Sequence, residues 1–339
     1  MAAVDAYSHG AECHSSWNDK VPPPQPLTFD QLLTPSRIAA FLTMFKPGMK
    51  SEDILTDMEQ ERFEKSVVIV GGGIAGLAVA RHLSGNDVDC TIVEKQGSLG
   101  GRVRDWACMA TDHCLRCFSC TVEDLVQDVS ASPRVRVLTE TKLSSVIVSE
   151  GRLRQISVET LGSGSETVLD PEALVIATGF DPYDPSEKLL LGYGRLNGVH
   201  TLNELDAFVR NDDLAAFAGA AQGPLKIAVF QCVGTRDASI GAGYCSQYCC
   251  KAALRMALRL LKEQPEWHIT IFYIDLQVAG RFAASLLAEA KERGVRLIQG
   301  VPGEILPAAD NTLEVVREEG GLNVKESFHK IVQIGRAHV

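Results

Sequence analysis

From Val67 the chain alternates short apolar runs with longer stretches in which apolar residues return every three or four positions. That is the pattern of buried parallel strands wrapped by amphipathic helices. Strands are expected over 67–70, 90–94, 135–137, 145–148, 153–159 and 174–177, with a helix over 74–84 and a turn at Glu150-Gly151. A second alternating unit runs through strand 226–231, helix 246–262, strand 269–274, helix 282–293 and strand 295–298. Ahead of it, Thr201-Leu202-Asn203-Glu204 has the form of a capping box, in which hydroxyl and carboxylate each satisfy an amide at a helix start. Two such units without a solenoid period predict an α/β fold.

Upstream, Val21-Pro22-Pro23-Pro24-Gln25-Pro26 reads as a polyproline-like spacer, and Ile38, Phe41, Leu42 and Phe45 predict one short helix ended by Pro47 and Gly48. Residues 1–64 are expected to form an extension that docks or packs, and Cys13 beside His14 is too sparse for a metal site. The apolar run over 66–80 carries Gly71, Gly72, Gly73 and Gly76 and stops at Arg81, well short of the roughly 20 apolar residues of a membrane span. No apolar segment follows a basic start, so neither a secretory leader nor a transmembrane segment is expected, and the location is expected to be cytoplasmic. The 339 residues suit two domains, and the net charge of −10 builds no basic stripe for a nucleic acid.

Gly71-Gly72-Gly73-Ile74-Ala75-Gly76 follows one strand and opens a helix, the context that makes this glycine pattern a dinucleotide site. Gly71 serves the tight turn, Gly73 the approach of a pyrophosphate and Gly76 the packing of helix on strand, while Glu94 ends the next strand where a carboxylate receives a ribose diol. The segment Glu94-Lys95-Gln96-Gly97-Ser98-Leu99-Gly100-Gly101-Arg102 resembles the acidic residue and Gly-Gly extension of two-dinucleotide-domain flavoproteins. Ala177-Thr178-Gly179 is similar to their Ala-Thr-Gly segment at the exit from the first domain. The resemblance implies FAD at this site, held by Gly71, Gly73, Gly76, Glu94, Gly100, Gly101, Ala177, Thr178 and Gly179. Arg102 is expected to face either the pyrophosphate or solvent. His113, Lys95, Asp181 and Asp184 are given no acid–base role, because electron transfer needs none, and the remaining charges read as solvated faces.

Ten cysteines in such a chain point to metal or redox chemistry. Cys232, Cys245, Cys249 and Cys250 form one group, at the place where a second nucleotide unit would carry its own glycine loop. Cys245 and Cys249, four apart, would share one face of a helical turn. Four thiolates suit an iron–sulfur cluster or zinc, with buried small side chains or a redox disulfide as the other readings. Cys108, Cys114, Cys117 and Cys120 form the other group. Its Cys-x-x-Cys-x-x-Cys spacing is ferredoxin-like, and it reads as a second cluster, a redox or flavin-facing Cys114–Cys117 pair, or plain structure.

The segment Phe230-Gln231-Cys232-Val233-Gly234-Thr235-Arg236-Asp237, the Tyr-Cys-Ser-x-x-Cys-Cys run at 244–250 and Ile271-Phe272-Tyr273-Ile274-Asp275 resemble the A-type subunit of heterodisulfide reductase and its relatives from about Val67 to Gly303. Asp112-His113-Cys114-Leu115-Arg116-Cys117 resembles that family's Asp-Cys-x-x-Cys stretch, with His113 inserted and Cys120 added. The resemblance implies a two-dinucleotide-binding-domain flavoprotein fold: an FAD domain over 65–200 and a second Rossmann-like unit over 201–303, with 304–333 beginning a return to the first domain. It implies Cys232, Cys245, Cys249 and Cys250 as ligands of a 4Fe-4S cluster exchanging electrons with FAD. The implied partners are the other subunits of a heterodisulfide reductase-like complex and an electron donor protein, with room for a homodimer. The family's cysteine-bearing leader and ferredoxin tail are not seen, Ile334 to Val339 resembles read-through, and the chain is expected to be a fragment. Two other functions stay open: an NAD(P)-linked disulfide reductase using Cys114 and Cys117, which the missing second glycine loop argues against, and a zinc-stabilised assembly module.

Overall fold

The computed structural model describes residues 66–221, 223–278, 281–308 and 310–335. The expected helix near Ile38 and the pair Cys13 and His14 lie outside them. The described chain forms two compact units, one of residues 66–72, 76–99 and 127–177, the other of 73–75, 100–126 and 178–335.

The first unit is built on β1 (Val67–Val70), α1 (Ile74–Gly85) and β2 (Cys90–Val93). Every residue of β1 and β2 is buried, which is why both strands read as unbroken apolar runs: a parallel sheet hides both faces. After α2 (Thr121–Ala131), a helix with no counterpart in the sequence reading, come β3 (Val135–Leu138), β4 (Thr141–Ser149), β5 (Arg152–Thr160), β6 (Glu166–Leu169) and β7 (Ala173–Ile176). The parallel sheet has the order β3-β2-β1-β7, and β4-β5-β6 make an antiparallel sheet. Val68, Val70, Val93, Ile156 and Val158 form the shared core. Because β2 and β7 lie on opposite sides of β1, the strand order reverses there, and a ligand crevice belongs beyond the carboxyl end of β1.

The second unit repeats that logic. Its strands are β8 (Val199–Thr201), β9 (Lys226–Phe230), β10 (His268–Tyr273), β11 (Arg296–Gln299) and β15 (Lys330–Gln333), in the parallel order β11-β10-β9-β15-β8. Helices α3 (Leu202–Arg210), α4 (Leu214–Ala218), α5 (Cys249–Glu263) and α6 (Arg281–Glu292) cover it, and β12 (Glu304–Pro307), β13 (Leu313–Glu319) and β14 (Leu322–Phe328) form an antiparallel sheet. The capping box at Thr201 forms, with Glu204 accepting the Thr201 amide at 2.6 Å and returning its own amide to Thr201 Oγ1 at 3.2 Å. Helix α5 puts Ala253, Leu254, Ala257, Leu258 and Leu261 into the largest core.

The switch point of this sheet lies between β9 and β15. Lys330–Gln333 therefore does not begin a return to the first domain: it is an interior strand of the second sheet, with Ile331 and Val332 fully buried. Apolarity on both faces is what a central strand needs. Ile334, expected in the read-through tail, is 3% exposed and donates to Phe230 O at 2.9 Å. The rest of that tail, 336–339, lies outside the described residues.

Leu254 is fully buried midway along α5. Its replacement by alanine is expected to cost about 2–5 kcal/mol, read as a lower denaturant midpoint with an unchanged slope, and to loosen both cysteine groups that α5 supports.

Candidate functional site

The glycine loop leaves almost no room between β1 and α1: a Cβ at Gly76 would run into the Gly71 carbonyl. Glu94, 7% exposed, accepts the Gly72 amide at 2.7 Å and the Gln96 amide at 2.8 Å. A carboxylate offers about four acceptor positions, so capacity for a ribose diol remains. The Ala177 amide donates to Val70 O at 2.8 Å, extending the β1–β7 pairing by one residue before Thr178 and Gly179. Within the second unit, Gly73 and Gly100 form a parallel bridge, and a Cβ at Gly101 would stand 2.9 Å from Gly73 Cα. Backbone thus meets backbone at the doublet, as a dinucleotide cradle requires. Arg102 donates to Phe180 O at 2.9 Å and to Asp181 Oδ1 at 2.6 Å, with its side chain still partly in solvent.

Cys232 follows β9 at the switch point in the left-handed conformation, φ 62°, which side chains other than glycine rarely adopt. Cys249 and Cys250 occupy the first turn of α5, both buried. Cys245 does not share a helical face with Cys249. The helix starts only at Cys249, and Gln247, left-handed at φ 54°, turns the chain so that Cys245 comes from the preceding loop. All four sulfurs nonetheless lie within electrostatic reach of one another. The Gln247 amide donates to Cys245 Sγ at 3.3 Å, the Cys232 amide donates to Cys249, and the Cys250 thiol donates to Gln231 Oε1 at 3.1 Å. Burial, then the neighbouring thiols, pushes Cys232 up to about 11, and burial raises Cys249 and Cys250. These are thiols that ligation would deprotonate.

Among the described residues no three His, Cys, Asp or Glu side chains converge as ligands of a single metal ion would. A 4Fe-4S cluster bonds each cysteine to a different iron, so its sulfurs need not meet at one point. Four neighbouring sulfurs, three of them receiving amides, fit that group.

The other cysteines lie on the segment 106–120, which has no helix or strand. There the Cys108 thiol contacts Cys117, Ser119 Oγ lies 3.3 Å from Cys117 Sγ, and the Arg116 amide donates to Cys114 Sγ at 3.4 Å. The Cys108 hydrogen bond, helped by Ser119, holds Cys117 down to about 5 against the cost of its burial. Burial and then the charges of Cys117 and Cys114 raise Cys120. Helix α5 clasps this segment from one face. Arg255 donates to Leu115 O at 2.9 Å and Arg116 O at 3.0 Å, Arg259 to Ala110 O at 3.5 Å and Lys262 to Thr111 O at 2.8 Å. These three cations are not a solvated face, because the carbonyls of an irregular segment need donors.

Tyr248 lies within electrostatic reach of a cysteine of each group, Cys249 and Cys117. Its ring stacks on Trp106 at 5.7 Å and tilts against Phe180 at 6.3 Å. These rings, with Arg102, Val233 and Ile334, line a pocket at the β9–β15 switch point. Val233 and Tyr248 are sequence neighbours of Cys232 and Cys249, so residues adjoining the quartet line the pocket.

A model of the family described as pyridine nucleotide-disulphide oxidoreductase matches residues 65–337. The chain belongs to that family. Its members are oxidoreductases, and the fold class expected from sequence is the one observed. The A-type subunit of the "Ferredoxin:CoB-CoM heterodisulfide reductase" of Methanosarcina acetivorans is 26% identical over 81% of this chain and 47% of its own length. The A-type subunit of the "H(2):CoB-CoM heterodisulfide,ferredoxin reductase" of Methanothermobacter thermautotrophicus is 33% identical over 50% of this chain and 27% of its own. The chain thus spans about half or less of the curated relatives it matches. Thioredoxin reductase of Lactococcus lactis shares the fold, at a TM-score of 0.50 and 18% identity over 81% of this chain and 79% of that one. No helix among the described residues is long and apolar enough to cross a membrane.

The residues that the sequence reading passed over in this family member are Arg255, Arg259, Lys262, Tyr248 and Asp206. A signal existed for two groups of them: the cations recur at i, i+4 and i+7, and Asp206 interrupts the apolar stripe Leu202, Leu205, Val209 at a buried helical position. Asp206 is 7% exposed and accepts the Ala107 amide at 3.1 Å. Burial pushes its carboxyl up to about 7. The folded state therefore keeps a proton that the unfolded chain releases near pH 4, so this contribution is whole in acid and lost as pH rises from about 4 to 7. The expected loss is on the order of 4 kcal/mol. Urea unfolding from pH 4 to 8 should show it, and Asp206→Asn, which keeps an acceptor for Ala107, should flatten the profile.

Proposed function

We propose that this chain is an FAD-dependent iron–sulfur oxidoreductase, the electron-transferring part of a heterodisulfide reductase-type complex that corresponds to its A-type component. One observation carries the reading: the aromatic pocket of Trp106, Phe180 and Tyr248 is lined also by Val233, so that chain neighbours of Cys232 and Cys249 face it. When bound, FAD supplies two-electron and a 4Fe-4S cluster one-electron redox chemistry. The chain's own residues prepare the two sites. The open first turn of α1, with Gly73 before it and Gly76 within it, suits a pyrophosphate, and Glu94 suits the ribose. Arg102 fixes Phe180 through its carbonyl, and the stacked Trp106 and Tyr248 give the pocket an aromatic wall. Cys232, Cys245, Cys249 and Cys250 would release their thiol protons on ligation. The other subunits of such a complex and an electron donor protein are the partners this reading calls for.

A disulfide reductase drawing on NAD(P)H is disfavoured by the end of β9, where Gln231-Cys232-Val233 stands in place of a second glycine cradle. In protein purified without oxygen, Cys245→Ser with Cys249→Ser is expected to remove about four iron and four sulfide per chain and leave FAD in place. Gly76→Ala is expected to lower FAD content at least tenfold while iron stays. Iron unchanged in the cysteine variant, or zinc in place of iron, would overturn the reading.

A further inference from the structure

We propose that Gln231 turns its side-chain amide when a cluster binds and donates Nε2–H to the Cys250 sulfur, so that this residue raises the reduction potential of the centre. The inference rests on the preceding reading, since it needs a cluster at Cys232, Cys245, Cys249 and Cys250.

Gln231 stands between β9 and Cys232 and is 2% exposed. Its backbone amide donates to Phe272 O at 3.1 Å, which holds the residue against the sheet. The side chain is only half used. Oε1 accepts the Cys250 thiol at 3.1 Å, while Nε2, equally enclosed, has no hydrogen-bond partner. A buried amide donor left unpaired is costly, and an apolar side chain here would avoid that cost. The stranded donor belongs to an amide that already touches a sulfur of the quartet, and a second state in which it is paired accounts for both facts.

Cys250 is placed for such an exchange. As a thiol it has one hydrogen and two acceptors, Gln231 Oε1 and, at 3.7 Å, Asp275 O. Ligation replaces the S–H bond by an S–Fe bond and releases the proton to water, after which the sulfur only accepts. Its contact with Gln231 Oε1 then sets lone pair against lone pair. A half-turn of the planar amide brings Nε2 to the place of Oε1. Repulsion becomes a hydrogen bond, and no bond within the amide is made or broken. The carbonyl takes over the unpartnered position, which an acceptor tolerates better than a donor.

The other groups around Cys250 are already engaged. The Gln277 backbone amide donates to this sulfur, and the Gln277 side chain donates from Nε2 to Asp275 Oδ2 at 2.8 Å. Arg236 pairs with Asp275 Oδ1. That leaves the Gln231 amide to answer the charge that ligation creates. A donor aimed at a cluster sulfur favours the state with one more electron, and hydrogen bonds of this kind tune the potential.

The test uses the full chain purified without oxygen, with iron counted and the centre titrated with dithionite. Gln231→Met keeps nearly the shape of glutamine and removes the N–H. The variant is expected to hold as much iron as wild type. At a fixed potential its ratio of reduced to oxidised cluster is expected to be at least threefold lower, about 28 mV for one electron. A potential unchanged or raised, with iron retained, would overturn the proposal and leave the preceding reading standing. Wild type without iron would overturn both. Should the variant lose iron or fail to fold, wild type decides: with glutamine side chains labelled by 15N, pulsed electron resonance of the dithionite-reduced protein is expected to show a 15N nucleus coupled to the cluster. Absence of that coupling, or its persistence in a folded Gln231→Met, would overturn the proposal.

Discussion

The second unit depends on α5 doing two opposed things with its two faces. One face buries Ala253, Leu254, Ala257, Leu258 and Leu261 against the parallel sheet, and that burial fixes the helix in place. The other face cannot be buried by apolar contact, because it carries Arg255, Arg259 and Lys262. Those cations find the carbonyls of the irregular segment 110–116 instead. Most of the sulfurs of interest are then positioned by one rigid element, two of them on its first turn and four on the stretch it clasps.

Placing redox groups on such a scaffold has a physical logic. A centre that changes charge by one unit needs neighbours that do not rearrange when it does so, and backbone amides and cations held by hydrogen bonds to carbonyls meet that need. Burial raises the thiols of Cys232, Cys249 and Cys250, so metal ligation there would have to exchange protons for metal. Tyr248 belongs to both environments: its ring stacks on Trp106 in the pocket, and its neighbour Cys249 opens the helix.

Much of the fold was legible because a parallel sheet writes itself plainly. Val67–Val70 and Cys90–Val93 are fully buried, hence almost wholly apolar, and the glycines that follow β1 mark a close approach of backbone. Strand β15 was misassigned for the same reason that it was noticed: Ile331 and Val332 are equally apolar in any buried sheet, and local sequence does not name the sheet. Helix α5 was placed but begun three residues early, because Ser246 and Gln247 are acceptable helix residues and only the left-handed turn at Gln247 rules them out.

The chain by itself determined the alternation of strand and helix, the glycine loop with its acidic partner and the two groups of cysteines. Each of these is a matter of residue type at fixed spacing, and spacing survives in one dimension. Tertiary structure decided what no spacing encodes. It joined β15 to β9 at the switch point, turned three exposed-looking cations toward backbone carbonyls, buried Asp206 beside Ala107 and brought Tyr248 within reach of both Cys249 and Cys117. Those contacts join residues up to 151 positions apart, and they exist because unpaired carbonyls and carboxylates in a packed interior must find a partner wherever the fold supplies one.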